Sequence, residues 1–237
     1  MRPMLAIDTS SDETSLAVIA AGREIERVSV KSAHNEDLAV LAASALCEAG
    51  IEAGDVACFA AGAGPGSFTG LRIGFSFIKG MALFAARPLR TVSSLAACAA
   101  EFRGEGRLLC ALGDARRSEC FAAVYAPAAG GALNELRAPC IVADADLGAW
   151  LNAAQEESGA ADSDVVVASV HARPISAGTY RTFRPRHTAR SVAELAALCG
   201  DYELSFGVDG LAEQEPCYLR AVAAKTIAER EAEKRRM

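Results

Sequence analysis

The 237-residue sequence has few of the side chains from which metal, redox and hydrolytic sites are usually built. It contains three histidines (His34, His171, His187) and one tryptophan, and aromatic residues make up only 6%. Its eight cysteines include no Cys-x-x-Cys pair, so neither a zinc site nor a disulfide framework is expected. Reduced, buried thiols in a cytoplasmic protein fit their apolar surroundings better. No histidine stands near a nucleophile motif, which leaves a Ser/His/Asp arrangement without an anchor. No charge-free run reaches the roughly 18 residues that a membrane span needs, and Asp8 interrupts the first apolar run, so neither anchor nor signal peptide is expected. An excess of positive charge is also missing. With 24 Lys+Arg against 30 Asp+Glu, the net charge of −6 gives no global footprint for nucleic acid or membrane binding.

What the sequence does have is concentrated at Gly64-Pro65-Gly66-Ser67-Phe68-Thr69-Gly70. A short apolar stretch from Asp55 to Gly62 reads as a buried strand before it. Leu71 to Ala85 then reads as a helix that Arg87-Pro88 stops. Such a strand–turn–helix unit either cradles an anion with backbone N–H groups or is a structural turn that caps the helix. It is not a P-loop, because Gly-Lys-Ser/Thr is absent, and Ser67 lacks the flanking glycines of a nucleophile elbow. In the helix, Leu71, Phe75, Ile78 and Ala82 share one face, and Ile73, Phe77 and Phe84 populate another. Arg72, Ser76 and Lys79 form one narrow polar stripe. A helix apolar around most of its girth is buried either on two sides in its own domain or on one side by a partner. Gly74 and Gly80 permit close helix approach in both cases.

Met4 to Asp8, Thr14 to Ala20 and Glu24 to Val30 read as strands. An Asp-Thr-Ser turn after the first is how the actin-like ATPase architecture opens, with Asp8 and Ser10 toward a nucleotide phosphate or metal. The alternative is that both merely satisfy a hydroxyl-rich turn. A helix from about residue 36 to Ala49, N-capped by Asn35 and closed by Gly50, carries Leu38, Leu41, Ala42 and Ala45 on one face. Leu89 to Val92 (strand) and Ser94 to Glu101 (helix) lead to a polar break at Arg103-Gly104-Glu105-Gly106. Residues 1–102 therefore read as one lobe and 103–224 as a second. Arg107 to Leu112, Glu119 to Tyr125 and Asp164 to Ser169 are strands of the second lobe, Val192 to Cys199 is a short helix, and 225–237 is a polar tail.

These pieces resemble the bacterial TsaB (YeaZ) family. The resemblance is carried by Ile7-Asp8-Thr9-Ser10, His34-Asn35-Glu36 and Gly-Pro-Gly-Ser-Phe-Thr-Gly-Leu-Arg-Ile-Gly at 64–74. Asp114-Ala115-Arg116 with Tyr125, and Pro216-Cys217-Tyr218-Leu219-Arg220, complete it. The family commonly has Ser where Asn35 stands. The resemblance implies a two-lobed actin-like (ASKHA, RNase H-like) α/β fold with mixed sheets flanked by helices. It implies a non-catalytic subunit needed for threonylcarbamoyl transfer to adenosine 37 of tRNAs that read codons beginning with adenine. In the family TsaB pairs with the catalytic subunit TsaD through helices of the first lobe, and the ATPase TsaE joins the pair.

The catalytic relative carries a His-x-x-x-His metal pair. Here that spacing holds His34 and Leu38, so no metal site is expected. The implied interface comprises Leu38, Leu41, Ala45, Leu71, Gly74, Phe75, Phe77, Ile78 and Met81; a homodimer of the free chain is one reading, and the surface it would use is left open. No cofactor is required; ATP or ADP in a cleft at Asp8, Ser10, Gly64, Gly66 and Ser67 is the reading for any ligand. The alternative function is an enzyme acting alone, either an ATPase or a glycoprotease-like hydrolase. Outside the resemblance, Arg173, Arg181, Arg184, Arg186 and Arg190 cluster beside Tyr180 and Phe183. Arg181, Arg184 and Arg186 read either as a tRNA contact or as a solvated loop with its counter-charges elsewhere in the fold.

Overall fold

The computed structural model describes residues 2–20, 22–30, 37–170, 180–186, 188–198 and 208–220. His34, Asn35, Arg173, His171, His187 and the 225–237 tail lie outside the described residues.

Strand β1 (Met4–Asp8) is central to the first sheet. It pairs antiparallel with β2 (Glu13–Ala20), which pairs antiparallel with β3 (Arg23–Val30). On its other side it pairs parallel with β4 (Cys58–Gly62), which carries β5 (Leu89–Val92), also parallel. Parallel neighbours need crossovers, and these are helices α1 (Asp37–Ala49) and α2 (Phe68–Ala85). Period-two alternation along β1 divides its side chains between two cores. Leu5 and Ile7 join Leu38, Ala42, Ala45 and Leu46 of α1 and Phe75, Ile78 and Ala82 of α2. Met4 and Ala6 point the other way, onto Val192, Ala193 and Ala196 of α5 (Thr188–Leu198).

The second sheet repeats the plan. Strand β6 (Leu108–Arg116) pairs antiparallel with β7 (Glu119–Pro127), which pairs with β8 (Leu133–Ala143). On the other side β6 pairs parallel with β9 (Val165–Ser169), followed by β10 (Arg181–Phe183). Leu147, Leu151 and Ala154 of α4 (Leu147–Ser158) cover one face. Leu95, Cys98 and Ala99 of α3 (Ser94–Ala100) cover the other, while Ala97 of the same helix reaches the first sheet's core. Two five-stranded mixed sheets in equivalent strand order, with a shared helix between them, are the actin-like architecture.

Several boundaries differ from the sequence reading. The strand expected from Asp55 starts at Cys58, because Ala53–Asp55 forms a 3-10 turn in which the Asp55 carboxylate accepts the Glu52 N–H at 2.9 Å. Helix α2 starts at Phe68 rather than Leu71, since the Ser67 hydroxyl accepts the Gly70 N–H at 3.2 Å and fixes the first turn. It ends at Ala86, a left-handed residue with φ of 54°, just before Pro88. By length and composition α2 passes for a membrane span, yet Leu71, Phe75, Ile78 and Ala82 are buried in its own lobe. The strands before and after residue 103 belong to different sheets. Helices α5 and α6 (Val208–Glu213), which sequence position puts in the second lobe, pack instead on the first: Val192 of α5 and Leu211 of α6 sit in that lobe's cores. The chain returns to the first lobe to cover β1 and β4, whose second face would otherwise be bare.

Candidate functional site

The β1–β2 turn and the β6–β7 turn face each other across a cleft of about 480 Å³ between the lobes. Asp8 is only 3% exposed and belongs to the floor rather than the lining. Its Oδ1 accepts the Ser10 N–H at 2.9 Å and the Ser94 hydroxyl at 3.3 Å, while that hydroxyl accepts the Gly64 N–H at 2.9 Å. The Gly64–Ser67 turn then lies on the first turn. Ser67 N–H donates to the Ser10 carbonyl at 2.7 Å, and a Cβ on Gly66 would overlap that same carbonyl oxygen. Gly64, with φ of +90°, is closed in by Leu71 and the Cys217 carbonyl, and the Cys217 N–H donates to Ala63 O at 2.7 Å.

Of the five residues expected to hold a nucleotide, Ser10, Gly66 and Ser67 therefore line the cleft. Asp8 and Gly64 do not, because their hydrogen bonds hold the turn together underneath. The carboxylate that would meet a phosphate-bound metal is engaged with its own backbone. Among the described residues no group of three or more His, Cys, Asp and Glu side chains is gathered as a metal would need.

The opposite wall comes from the β6–β7 turn, where Arg116, Arg117 and Ser118 have φ of 64°, 57° and 58°. Three successive left-handed residues without glycine cost roughly 1 kcal/mol or more each. Asp114 offsets part of this by accepting the Arg116 N–H at 2.7 Å. The Arg116 guanidinium spans the cleft, 3.3 Å from Asp12 on the first lobe and 3.1 Å from Asp114 on its own. The segment 214–220 closes the third side. Gln214 bonds Thr91 at 2.9 Å, Tyr218 lies 5.1 Å ring to ring from Phe68, and Arg220 pairs with Glu119.

The groups whose ionisation burial shifts lie away from the cleft lining. Burial pushes the Tyr125 hydroxyl up to about 12, although Ser93 at 3.4 Å partly opposes the shift. Burial likewise raises the Cys58 thiol to about 11 and those of Cys110 and Cys120 to about 12, so these thiols stay protonated at neutral pH.

The second candidate surface is the outer face of α1 and α2. Six of the nine residues expected at a partner interface, namely Leu38, Ala45, Leu71, Gly74, Phe75 and Ile78, are buried in the first lobe. Their interface reading is corrected: the lobe's own sheet covers them. Gly74 makes its close approach to Thr9, where a Cβ would lie 3.0 Å from Thr9 Cγ2 and nearer still to its hydroxyl. Leu41, Phe77 and Met81 are half-buried at the margin. The exposed apolar side chains are Val40 (66%), Leu83 (53%) and Phe84 (80%), with Gly80 open beside them. Of these, only Phe84 was marked in the sequence by its position on the second apolar face. Val40 and Leu83 carry no signal in spacing alone.

The arginines of the third candidate have partners. Arg181 pairs with Glu105 at 2.9 Å and Arg184 with Glu13 at 3.1 Å, while the Arg186 N–H donates to the Glu101 carboxylate at 3.0 Å. Arg190 lies 2.9 Å from Glu194 and 3.3 Å from Glu24. Glu13, Glu24 and Glu105 come from distant parts of the chain, whereas Glu194 is one helical turn from Arg190.

Comparison with known proteins follows the same lines. The family model described as "TsaD: tRNA N6-adenosine threonylcarbamoyltransferase" matches residues 28–165, more than half of the chain. The Escherichia coli protein named tRNA threonylcarbamoyladenosine biosynthesis protein TsaB is 34% identical over 126 residues, 52% of this chain and 54% of that protein. A tRNA N6-adenosine threonylcarbamoyltransferase of Gluconobacter oxydans is 34% identical over 113 residues, 40% of this chain and 31% of the enzyme. The chain thus spans about half the length of the curated TsaB relatives it matches, and less of the enzymes. A crystal structure of YeaZ from Pseudomonas aeruginosa superposes with a TM-score of 0.72 at 25% identity, covering 92% of this chain and all of that one. A second Pseudomonas aeruginosa structure, described as similar to peptidase YeaZ, gives 0.74 at 26%, covering 93% of this chain and all of that one. By family model, sequence and fold together, the chain belongs to the threonylcarbamoyltransferase family, in its TsaB (YeaZ) branch.

Proposed function

We propose that this chain is a cytoplasmic, non-catalytic subunit of the machinery that forms threonylcarbamoyladenosine in tRNA, and that it works by pairing with the catalytic TsaD subunit. The exposed apolar end of α2, Leu83 and Phe84, with Val40 also exposed on α1, is the observation that carries the reading. Three large apolar side chains on one lobe face, bordered by half-buried Leu41, Phe77 and Met81, favour burial against a partner. The closed first turn supports an accessory role over an ATPase one. TsaE joins the pair, tRNA is met through the complex, and in the absence of TsaD a second copy covers the same apolar end.

The test is tRNA threonylcarbamoylation by the cognate TsaD and TsaE, supplied with the threonylcarbamoyl donor system and ATP, with and without this chain. Transfer should require the chain, which alone should show neither ATPase nor peptidase activity. Equal transfer without it would refute the proposal.

A further inference from the structure

The cleft has a second half that the closed turn does not fill. Its mouth is lined by Ser67, Thr69, Arg117, Tyr218 and Phe68. Arg116 is already shared between Asp12 and Asp114, whereas among the described residues no carboxylate lies within ion-pair distance of Arg117. Arg117, the exposed second residue of the left-handed turn, lines the cleft as well. Opposite it, Phe68 and Tyr218 are both about two-fifths exposed, their rings 5.1 Å apart and tilted by 44°, and the Arg72 guanidinium sits 4.9 Å over Phe68. Two exposed aromatic rings, hydroxyl donors and a guanidinium with no carboxylate partner among the described residues, all within one cleft, match a ligand with a flat ring and an anionic group.

We propose that the outer half of the cleft binds one nucleotide unit, with its phosphate on Arg117 and the Ser67 and Thr69 hydroxyls and its base against Tyr218 and Phe68. This is displaced from the first-turn position, where Gly66 against Ser10 leaves no room. Both a free mononucleotide and a nucleotide of single-stranded RNA present that chemistry. Binding alone is proposed, with no bond made or broken.

The experiment is calorimetric titration of the full chain with AMP, adenosine, inorganic phosphate and a short single-stranded RNA. AMP should bind, with adenosine and phosphate each about tenfold weaker. Arg117→Ala should weaken AMP by about tenfold or more, Arg117→Lys should recover part of the loss, and Tyr218→Ala should cost about fivefold or more. Both side chains are exposed, and an unchanged melting temperature confirms that the variants fold. Binding of RNA but not AMP, with the same loss in Arg117→Ala, assigns the phosphate to RNA. No binding of any of the four at about 1 mM overturns the inference. Variants that bind as well as the parent also overturn it. A chain that binds nothing yet is required for threonylcarbamoyl transfer leaves the proposed function standing.

Discussion

Replacing Gly66 with alanine tests whether the glycine turn closes the first-lobe pocket. The new Cβ would lie 2.7 Å from Ser10 Cβ and 2.8 Å from its carbonyl carbon, with the carbonyl oxygen nearer still. None of these atoms is the end of a flexible side chain. Ser10 is buried, its N–H is held by Asp8 at 2.9 Å, and its carbonyl takes the Ser67 N–H at 2.7 Å. The turn must therefore lift as a unit. Overpacking of this kind costs about 1–3 kcal/mol, and losing the Ser67–Ser10 hydrogen bond adds about 1 kcal/mol. Against a total stability of about 5–15 kcal/mol, a loss of about 2–4 kcal/mol is large. For a chain of this size it corresponds to a melting temperature lower by about 4–16 °C.

Gly80→Ala is the matched control. Nothing lies within 4 Å of its Cβ position, and it sits in the exposed interior of α2, so helix propensity should stabilise the chain by about 1 kcal/mol. The assay is thermal unfolding followed by circular dichroism, with urea titration as a second probe. If Gly66→Ala melts within a degree or two of the parent, the turn does not rest on Ser10 and the argument for a closed pocket fails.

Three further outcomes follow from burial. Phe84→Glu should leave unfolding within about 0.5 kcal/mol of the parent while abolishing co-purification with TsaD, whereas Phe75→Ala, on the buried face of the same helix, should cost about 3–5 kcal/mol. Retained pairing by a folded Phe84→Glu chain would refute this surface. Alkylation of the native chain should modify exposed Cys47 and Cys217 well before buried Cys58, Cys98, Cys110 and Cys120. The same buried thiols set an alkaline limit. Their folded pKa values are raised, so the unfolded chain loses these protons first. Stability present below the ordinary thiol value of 9.0 should be lost as pH climbs from 9 toward the folded values of about 11 to 12. A melting temperature flat across that range would contradict the burial argument.

How much of this was legible in the sequence depends on how local the cause was. Strands β1 and β4 of the first sheet are short apolar runs between turn residues, and Gly50 closing α1 with φ of +74° follows from helix-end chemistry alone. Strand β8 was not legible. It is an edge strand with one exposed face and carries Pro139, so neither alternation nor composition marks it. Helix α4 hides for another reason: its core stripe is only Leu147, Leu151 and Ala154. At the site, the importance of residues 64–74 could be read, but not what their glycines touch. Gly66 meets Ser10 and Gly74 meets Thr9, both contacts across the sheet's first turn. Of the two readings of the arginines near residue 184, counter-charges elsewhere in the fold is the one these pairs fit, but which carboxylates supply them could not be read, since Glu13 and Glu105 reach them only through the fold.

One helix joins the two surfaces argued for here. Ser67 caps α2 at the cleft, and Leu83 and Phe84 stand at its other end, 18 residues long and so about 27 Å away. Between them Leu71, Gly74, Phe75, Ile78 and Ala82 form one continuous buried stripe against β1 and β4. A helix locked along its length by close packing does not bend locally; it moves as a rod or not at all. Gly74 against Thr9 is the tightest point of that seat, and Thr9 belongs to the turn that Gly66 covers. A partner that shifts α2 by seating on Phe84 therefore moves the cap at Ser67 and the ring of Phe68 together. Phe84→Glu and Arg117→Ala are consequently best measured in one double-mutant cycle. With partner present, coupling between this helix end and the cleft appears as non-additivity above about 0.5 kcal/mol, and strict additivity would show that the rod stays fixed.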